Sequence, residues 1–192
     1  LARQVQSPSL HHWKVATRVL RYLKGTLDLG ITMHRSQATT INAFVDSDYG
    51  GDKPTRRSTT GYAVFCGDNL ISWHSKLQPI VADSTMEAEY IALWSTIKEV
   101  RYIRNLLTEI GHAPTQPALV FEDNQACLKL AEGTGTFHPR SKHIDIRYHA
   151  SREAVNSGII KLNYIQSKQN IADLFTKILP LPTFTVLSEA MR

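Results

Sequence analysis

Two apolar segments of this sequence end on acidic residues. Residues 41–46 contain a single polar side chain before the final acid Asp46, and residues 118–123 are apolar up to their last two acids, Glu122 and Asp123. Segments with so few polar residues are typical of strands that are covered on both faces of a sheet. A buried strand end is a poor place for a charge unless the charge is paired or bound to a cation. The two segments therefore predict buried strands and mark Asp46 and Asp123 as candidate functional acids.

Periodicity and turn residues predict the other elements. Residues 62–66 and 70–73, separated by a turn at 67–69, indicate a hairpin, which with the strand at 41–46 makes three successive antiparallel strands. The strand–helix–strand order that follows implies a parallel pair. The spacing of apolar residues predicts helices over 9–24, 84–110, 124–131, 145–155 and 171–177, the last ended by Pro180 and Pro182, and a strand over 159–165.

The long helix has a recognisable start. Ser84 and Glu87 form the Ser-x-x-Glu pattern of a capping box, in which each side chain bonds to the other residue's backbone N–H. Glu89 comes two residues after Glu87 and therefore points about 200° away from it, at ~100° of rotation per residue. We expect Glu89 to lean toward the sheet rather than into solvent.

Composition places the chain among ordinary globular proteins. It has 192 residues, 42% of them hydrophobic, and a net charge of +5. This predicts one domain with an appendage and excludes a disordered tail, a collagen-like fibre and a coiled coil. No segment approaches the roughly 18 consecutive apolar residues of a membrane span, so we expect no membrane partner. Two cysteines, Cys66 and Cys127, favour a reducing intracellular setting, and a first residue Leu1 indicates a piece of a longer polypeptide.

The positive charge is concentrated at one end. Residues 1–40 contain six basic side chains and one acidic side chain, whereas the rest of the chain carries equal numbers of both. A basic arm on a neutral body favours contact with a polyanion such as nucleic acid. A solvated helix face would explain the same charges.

Two further acids join Asp46 and Asp123 as candidates. Glu89 is expected to face the sheet, and Asp173 lies near the start of the last predicted helix, where an acid could equally stabilise the helix dipole. Taken singly, each of the four has a structural explanation. Together, carboxylates from several elements that meet at one sheet edge are the ligands that Mg²⁺ or Mn²⁺ requires. Two such ions about 4 Å apart can hold the attacking water and the leaving oxygen of a phosphoryl transfer.

Six separate blocks of the sequence stand in a recognisable order. They are Phe44-Val45-Asp46-Ser47-Asp48-Tyr49-Gly50-Gly51-Asp52, Arg56-Arg57-Ser58-Thr59-Thr60-Gly61-Tyr62, Ser84-Thr85-Met86-Glu87-Ala88-Glu89-Tyr90, Glu122-Asp123-Asn124-Gln125, Lys142-His143-Ile144-Asp145-Ile146-Arg147-Tyr148-His149 and Ala172-Asp173-Leu174-Phe175-Thr176-Lys177. Over nearly the whole chain they resemble the ribonuclease H domain of copia-type LTR retrotransposon polyproteins. Residues 13–26 resemble the end of the reverse transcriptase that precedes that domain.

The resemblance implies a fold and a site. The fold is α/β of the ribonuclease H type, with a mixed five-stranded sheet, three antiparallel then two parallel strands, flanked by helices. The implied catalytic and metal-binding residues are Asp46, Glu89, Asp123 and Asp173, with two Mg²⁺ ions as cofactor and Mn²⁺ as a substitute. Asp46 would bridge both ions, and Asp173 would complete the ion that activates water. Glu89 and Asp123 would hold the ion at the leaving 3′ oxygen, and cleavage would leave a 5′ phosphate. Asp48 and Asp52 are interpreted as loop acids, because Asp46 alone is expected at the strand end.

The same resemblance divides the chain into three parts. Residues 1–38 are the end of the reverse transcriptase or a connecting arm. Residues 39–180 are the ribonuclease H-like domain, and residues 181–192 are a tail.

Four residues are expected to bind substrate near the site. An RNA·DNA hybrid is distinguished from duplex DNA by its 2′ hydroxyls, commonly through polar side chains in the minor groove. Asn124 and Gln125 are suitable amides for this contact, although Asn124 could equally cap a helix. Arg56 and Arg57 precede the hairpin and could bind phosphates or remain solvated loop charges.

Histidines give a weaker signal. Many enzymes of this superfamily carry a histidine on a loop shortly before the last Asp, but residues 166–170 contain none. His143, Asp145 and His149 look superficially like a metal triad, although ordinary surface or core histidines are the simpler interpretation. We expect Lys142 to contact a phosphate and His143 to touch the substrate.

The sequence thus predicts an endoribonuclease that cleaves the RNA strand of RNA·DNA hybrids during reverse transcription. Its partners would be the hybrid and the reverse transcriptase portion of the same polyprotein, in the cytoplasm and within virus-like particles. The alternative is a catalytically silent connection-like domain that grips the template–primer duplex, against which the retained acids argue. A DNA-cutting recombinase on the same type of fold is disfavoured, because Glu89 precedes the second Asp in the chain.

Overall fold

The computed structural model describes residues 1, 4–35, 38–134 and 142–192, with the backbone alone at 142–145. The described residues form two compact units, Leu1–Ile31 and Thr32–Arg192. The first unit contains helix α1 (Leu10–Gly25), close to the predicted bounds, and none of the residues of α1 is buried. The division of the chain at residues 38 and 180 stays a prediction.

The second unit is built on a five-stranded sheet. Its strands are β1 (Ile41–Asp48), β2 (Thr59–Cys66), β3 (Asn69–Leu77), β4 (Ala118–Glu122) and β5 (Ile160–Tyr164), in the order β3-β2-β1-β4-β5. β1, β2 and β3 pair antiparallel, whereas β4 pairs parallel with both β1 and β5. This confirms the predicted mixed sheet. β1 is the central strand, and its side chains pack into a hydrophobic core on each face of the sheet, which explains its apolar sequence.

Helices cover both faces of the sheet. They are α2 (Thr85–Glu109), α3 (Gln125–Ala131), α4 (Lys142–Asn156), α5 (Asp173–Thr176) and α6 (Leu181–Glu189), with a 3₁₀ turn at Ser167–Gln169. α2, α3 and α4 contribute to one core, in which Val45 and Leu93 are completely buried. α5 contacts β1, β2 and β3, and beside it Ile171 packs against Ala63 and Phe65 in a second core. Among the described residues, no helix combines the length and hydropathy that crossing a membrane requires.

The chain after residue 170 differs most from the prediction. α5 is a single turn, Asp173–Thr176, rather than a helix over 171–177. Pro180 and Pro182 separate it from α6, which they also begin: Pro180 is the N-cap and Pro182 lies in the first turn. Proline is tolerated there, because the first N–H groups of a helix have no intrahelical acceptor. The predicted tail 181–192 thus contains a helix, and its separation from the domain stays a prediction.

Candidate active site

Asp46 lies inside the central strand β1 and is 1% exposed. The sequence analysis placed it at the strand end, which is wrong, because β1 continues to Asp48. Asp48 is half-buried, and its carboxylate accepts the backbone N–H of Thr59 across the ladder. Asp52 accepts the hydroxyl of Thr55 in the loop that follows. These two acids stabilise the β1–β2 connection, and Asp46 differs from them by its burial.

Three of the predicted carboxylates meet at one point. Asp46 of β1, Glu89 of α2 and Asp123, directly after β4, each offer an oxygen, and these oxygens lie within 4.8 Å of one another. We call this group the three-carboxylate cluster. Asp46 and Glu89 are buried and Asp123 is half-buried. The cluster forms because β1 and β4 are parallel neighbours and α2 packs across β1.

Glu87 and Glu89 have separate roles at the start of α2. The hydroxyl of Ser84 accepts the N–H of Glu87 at 3.1 Å, as the capping pattern predicted. The Glu87 carboxylate accepts the N–H of Asp83 at 2.7 Å, one residue before the donor of a regular capping box. Oε2 of Glu89 is buried and has no hydrogen-bond partner among the described residues. Of the two acids, Glu89 is the one that needs a further partner.

Asp173, the fourth predicted carboxylate, is buried at the first residue of α5 but is not part of the three-carboxylate cluster. Nζ of Lys177 donates to Oδ1 of Asp173 at 2.7 Å and to Oδ1 of Asp46 at 3.0 Å. The hydroxyl of Thr176 donates to Oδ2 of Asp46. Lys177 therefore connects the fourth carboxylate to the cluster through Asp46.

The electrostatics of the site disfavour ionised acids. Burial, followed by the nearby charges of Glu122 and Asp46, raises the pKa of Glu89 to about 11. Burial also raises the pKa of Asp173, against the opposing effect of its hydrogen bond from Lys177. Like charges a few Å apart disfavour the ionisation of each other. A nearby cation is what would allow these carboxylates to be charged together.

A divalent metal ion fits this donor set. Carboxylate oxygens from three elements are the hard ligands that Mg²⁺ and Mn²⁺ prefer. Such an ion would also satisfy the buried oxygen of Glu89 that has no other partner among the described residues. Asp46, Glu89 and Asp123 are the residues able to hold it.

Comparison of the whole sequence with known proteins finds relatives among Pol polyproteins. No family model matches the chain. The Retrovirus-related Pol polyprotein from transposon RE2 of Arabidopsis thaliana is 37% identical over 184 residues, or 96% of this chain. The one from transposon TNT 1-94 of Nicotiana tabacum is 36% identical over 189 residues, or 98% of this chain. Over nearly its whole length the chain is therefore homologous to one part of the Pol polyproteins of copia-type transposons. It spans 13% and 14% of the length of these two relatives.

Solved structures share the fold of this chain. The crystal structure of LC11-RNase H1 in complex with RNA/DNA hybrid matches 71% of this chain and 94% of that chain, with a TM-score of 0.52 and 13% sequence identity. At this identity the likeness shows the fold alone. That fold is the ribonuclease H fold, as predicted.

Glu122 is an acid that the sequence analysis left without a role. It is 0% exposed, and its Oε1 accepts the N–H of Asn124 at 2.9 Å. Its Oε2 is buried and has no hydrogen-bond partner among the described residues, and burial raises the pKa of Glu122 well above its ordinary value. The alternation of β4 was the signal that could have found it, because Ala118, Val120 and Glu122 are the buried residues of that strand.

Residues 166–170 contact the site although none of them is a histidine. Asn170 is fully buried, and its side-chain amide donates to the C=O of Val45 at 2.8 Å. Its Oδ1 accepts a backbone N–H just before α5 at 3.1 Å. The hydroxyl of Ser167 donates to the carboxylate of Asp123. Asn170 thus fixes the start of α5 against β1, and Ser167 orients one acid of the cluster.

Gly61 allows α5 to lie directly on β2. A Cβ at this position would stand 2.6 Å from Cγ2 of Thr176, 2.9 Å from Cβ of Phe175 and 3.1 Å from the carbonyl oxygen of Ala172. Gly61 is the residue paired with Asp46 in the sheet. The missing side chain therefore brings α5 next to Asp46.

The amides predicted to bind substrate lie beside the cluster. Asn124 is the N-cap of α3, where its Oδ1 accepts the N–H of Cys127 at 3.0 Å. The capping role that the sequence left open is thus present. Gln125 is exposed in the first turn of the same helix.

The predicted basic contacts lie elsewhere. Arg56 is exposed in the β1–β2 loop with a φ of 56°. Arg57 lines a cavity of about 550 Å³ whose walls also carry Lys76, Lys98 and Arg147, and none of the described residues that line it is an acid. Lys142 and His143 belong to α4, but their side chains fall outside the description, as does that of Asp145; His149 is exposed on α4.

Proposed function

We propose that this chain is an endonuclease that cleaves the RNA strand of RNA·DNA hybrids by metal-dependent hydrolysis. The observation that carries the proposal is the convergence of Asp46, Glu89 and Asp123 in a ribonuclease H fold. LC11-RNase H1, which shares this fold, is solved with an RNA/DNA hybrid. Holding three acids this close, two of them buried, is costly unless a cation compensates them, which argues against a domain that only binds the duplex.

Each carboxylate has a role in this proposal. Asp46 belongs to the three-carboxylate cluster and also faces the ion pair of Asp173, so it is placed to serve two ions. Glu89 and Asp123 would hold the ion at the leaving 3′ oxygen, and Asp173 would complete the ligands near the attacking water. Bound Mg²⁺ or Mn²⁺ would supply Lewis-acid chemistry, lowering the pKa of water and neutralising charge on the phosphate. The products would be a 5′ phosphate and a 3′ hydroxyl.

The substrate would be held on both sides of this site. Gln125, exposed directly after Asn124, would contact 2′ hydroxyls of the RNA strand, and Asn124 would combine this contact with its capping bond. Among the described residues that line the cavity beside Arg57, four are basic and none is acidic, a composition that favours phosphates. Arg56, Lys142 and His143 are proposed as further contacts to the hybrid.

The Pol polyprotein relatives support the proposal that this activity serves reverse transcription. They are Pol polyproteins much longer than this chain, so we propose that it works joined to the reverse transcriptase portion of its own polyprotein. The reaction would then take place inside the cell, in the cytoplasm and within virus-like particles.

The substitution Asp46→Asn tests the proposed activity. It removes the charge of the ligand shared by both ions, so Mg²⁺-dependent cleavage of a labelled hybrid should fall on the order of a thousandfold, equivalent to about 4 kcal/mol of barrier. The matched control Asp52→Asn changes a loop acid that bonds to Thr55 and should cleave at the wild-type rate. EDTA should abolish cleavage in every variant.

Two results would contradict the proposal in different ways. A wild-type chain that binds the hybrid but cleaves nothing with Mg²⁺ or Mn²⁺ would be a silent, duplex-gripping domain. A chain that cleaves duplex DNA as fast as the hybrid would be a nuclease with another substrate.

A further inference from the structure

The ammonium group of Lys177 lies between two of the proposed metal ligands. Nζ is 2.7 Å from Oδ1 of Asp173 and 3.0 Å from Oδ1 of Asp46. The side chain of Asp46 is 1% exposed and that of Lys177 is 38% exposed. Lys177 therefore neutralises a buried acid from a position that still reaches solvent.

This ion pair uses the oxygens that a second metal ion would need. The facing oxygens of Asp46 and Asp173 both accept hydrogen bonds from Lys177, and the other oxygen of Asp46 accepts the hydroxyl of Thr176. A divalent ion and an ammonium group cannot share the same two oxygens, because like charges at this distance repel strongly. The three-carboxylate cluster is different, since Glu89 offers a buried oxygen with no partner among the described residues.

The local backbone allows the lysine to leave. α5 ends at Thr176, and Lys177 is its C-cap residue, already in an extended conformation with ψ of 150°. Rotation of a half-exposed side chain would move the ammonium group into solvent without unwinding α5.

We propose that Lys177 is a built-in competitor of the second metal ion. Its ammonium group neutralises Asp46 and Asp173 until that ion displaces it, so the three-carboxylate cluster fills first and the second site is weak. This inference rests on the two-ion form of the proposed function. Lys177 is in this view a positioning residue that sets the order and the affinity of metal binding.

A Mn²⁺ titration of the metal-free full chain, followed by electron paramagnetic resonance of the free ion, measures this competition. The wild type should show one tight and one weak site. Lys177→Gln should tighten the weak site by about tenfold or more, because one competing positive charge is lost. Lys177→Arg keeps the charge and should leave the weak site weak.

A matched control separates this effect from the general charge of the protein. Lys168→Gln removes a positive charge from an exposed position of the 3₁₀ turn and should leave both Mn²⁺ sites as in the wild type. Lys177→Met provides a second neutral variant, in case Gln alone disturbs folding.

Thermal unfolding gives an independent readout. Without metal, the neutral variants leave Asp46 and Asp173 unpaired, so their Tm in EDTA should lie below that of the wild type. Mg²⁺ should then raise their Tm by more than it raises that of the wild type, since the native state binds the second ion more tightly.

Two results would overturn the inference. One is a second site that is unchanged, weaker or absent in both neutral variants, and the other is an Arg variant that binds Mn²⁺ like the Gln variant. Failure of the proposed function is distinguishable from both, because the wild type would then bind Mn²⁺ yet leave the hybrid uncleaved at every metal concentration.

Discussion

Glu122 adds a buried carboxyl group next to the three-carboxylate cluster without belonging to it. Its charge is, after burial, the largest influence that raises the pKa of Glu89, and burial raises the pKa of Glu122 itself. Oε1 of Glu122 accepts the N–H of Asn124, the residue after the cluster acid Asp123. One buried side chain therefore affects both the electrostatics of the cluster and the backbone beside it.

The substitution Glu122→Gln should stabilise the metal-free chain more at high pH than at low pH. Gln is neutral at every pH, and its carbonyl can still accept the N–H of Asn124. We expect the free energy of unfolding in EDTA to rise by ~1 kcal/mol or more at about pH 8, since each pKa unit corresponds to about 1.4 kcal/mol, with little change at about pH 5. Urea unfolding measures this, with the exposed Glu132→Gln as control. An equal effect at both pH values would contradict the argument.

The sequence shows which acids are candidate site residues, but not which residues form hydrogen bonds with them. Asp46 and Asp123 stand out because they follow apolar runs in the sequence. The partners of Asp46 do not stand out, since Thr176 and Lys177 lie 130 and 131 residues further along the chain. Asn170 bonds to β1 across 125 residues. Contacts at such separations leave no local pattern, so these three residues could not be assigned from the sequence.

At the scale of elements, α5 is the least independent part of the site. A helix of four residues cannot form alone, because its nucleus costs more than one turn of hydrogen bonds returns. Its position depends on Asn170 at its start and on Gly61, which leaves the space it occupies. The geometry of Asp173 is therefore decided by a strand and a loop rather than by α5 itself.

The substitution Gly61→Ala should displace α5. The new methyl group would stand 2.6 Å from a side-chain carbon of Thr176 and 3.1 Å from a backbone oxygen of Ala172, so α5 must move. We expect the free energy of unfolding to fall by about 1–3 kcal/mol, which is typical of overpacking. The rate of hybrid cleavage should fall by a larger fraction than the free energy of unfolding does. Urea unfolding and the cleavage assay measure the two effects.

A glycine in open space is the control for this prediction. Apart from its two chain neighbours, no described residue has an atom within 4 Å of a Cβ built at Gly30, so Gly30→Ala should leave both stability and cleavage unchanged. Wild-type cleavage by Gly61→Ala would show that the close packing of α5 on β2 is not needed at the site.

Long and strongly patterned elements were predictable, and the short ones were not. The buried runs of β1 and β4 and the apolar stripe of α2 each carry a periodic signal over the whole element. α5 is too short to have a period, and the prolines that separate it from α6 also start α6. Proline ends one helix and begins another by the same property, the lack of an N–H, so the sequence alone did not decide between the two.

At the scale of the whole molecule, the site is a concentration of negative charge that folding must enclose. The sheet order brings the ends of two parallel strands together, and α2 and α5 add acids from opposite faces. The sequence predicted three antiparallel strands and a parallel pair, but not the order of all five strands in the sheet, since several orders fit the same set of strands. The acids that would hold the metal ions in the proposed function also lower the stability of the fold when no metal ion is present.

The pH dependence of unfolding is the global consequence of this enclosure. An unfolded glutamate ionises near its ordinary pKa of 4.5, whereas burial and the charge of Glu122 raise the pKa of folded Glu89 to about 11. Between these values the folded chain binds more protons than the unfolded chain, so in EDTA the free energy of unfolding should fall from about pH 5 to about pH 9. Saturating Mg²⁺ should remove most of this fall, because it stabilises the ionised carboxylates of the native state. Urea midpoints across this range, with and without Mg²⁺, measure both effects. A metal-free chain that becomes more stable as the pH rises, or a fall that Mg²⁺ leaves intact, would show that the buried acids do not control its stability.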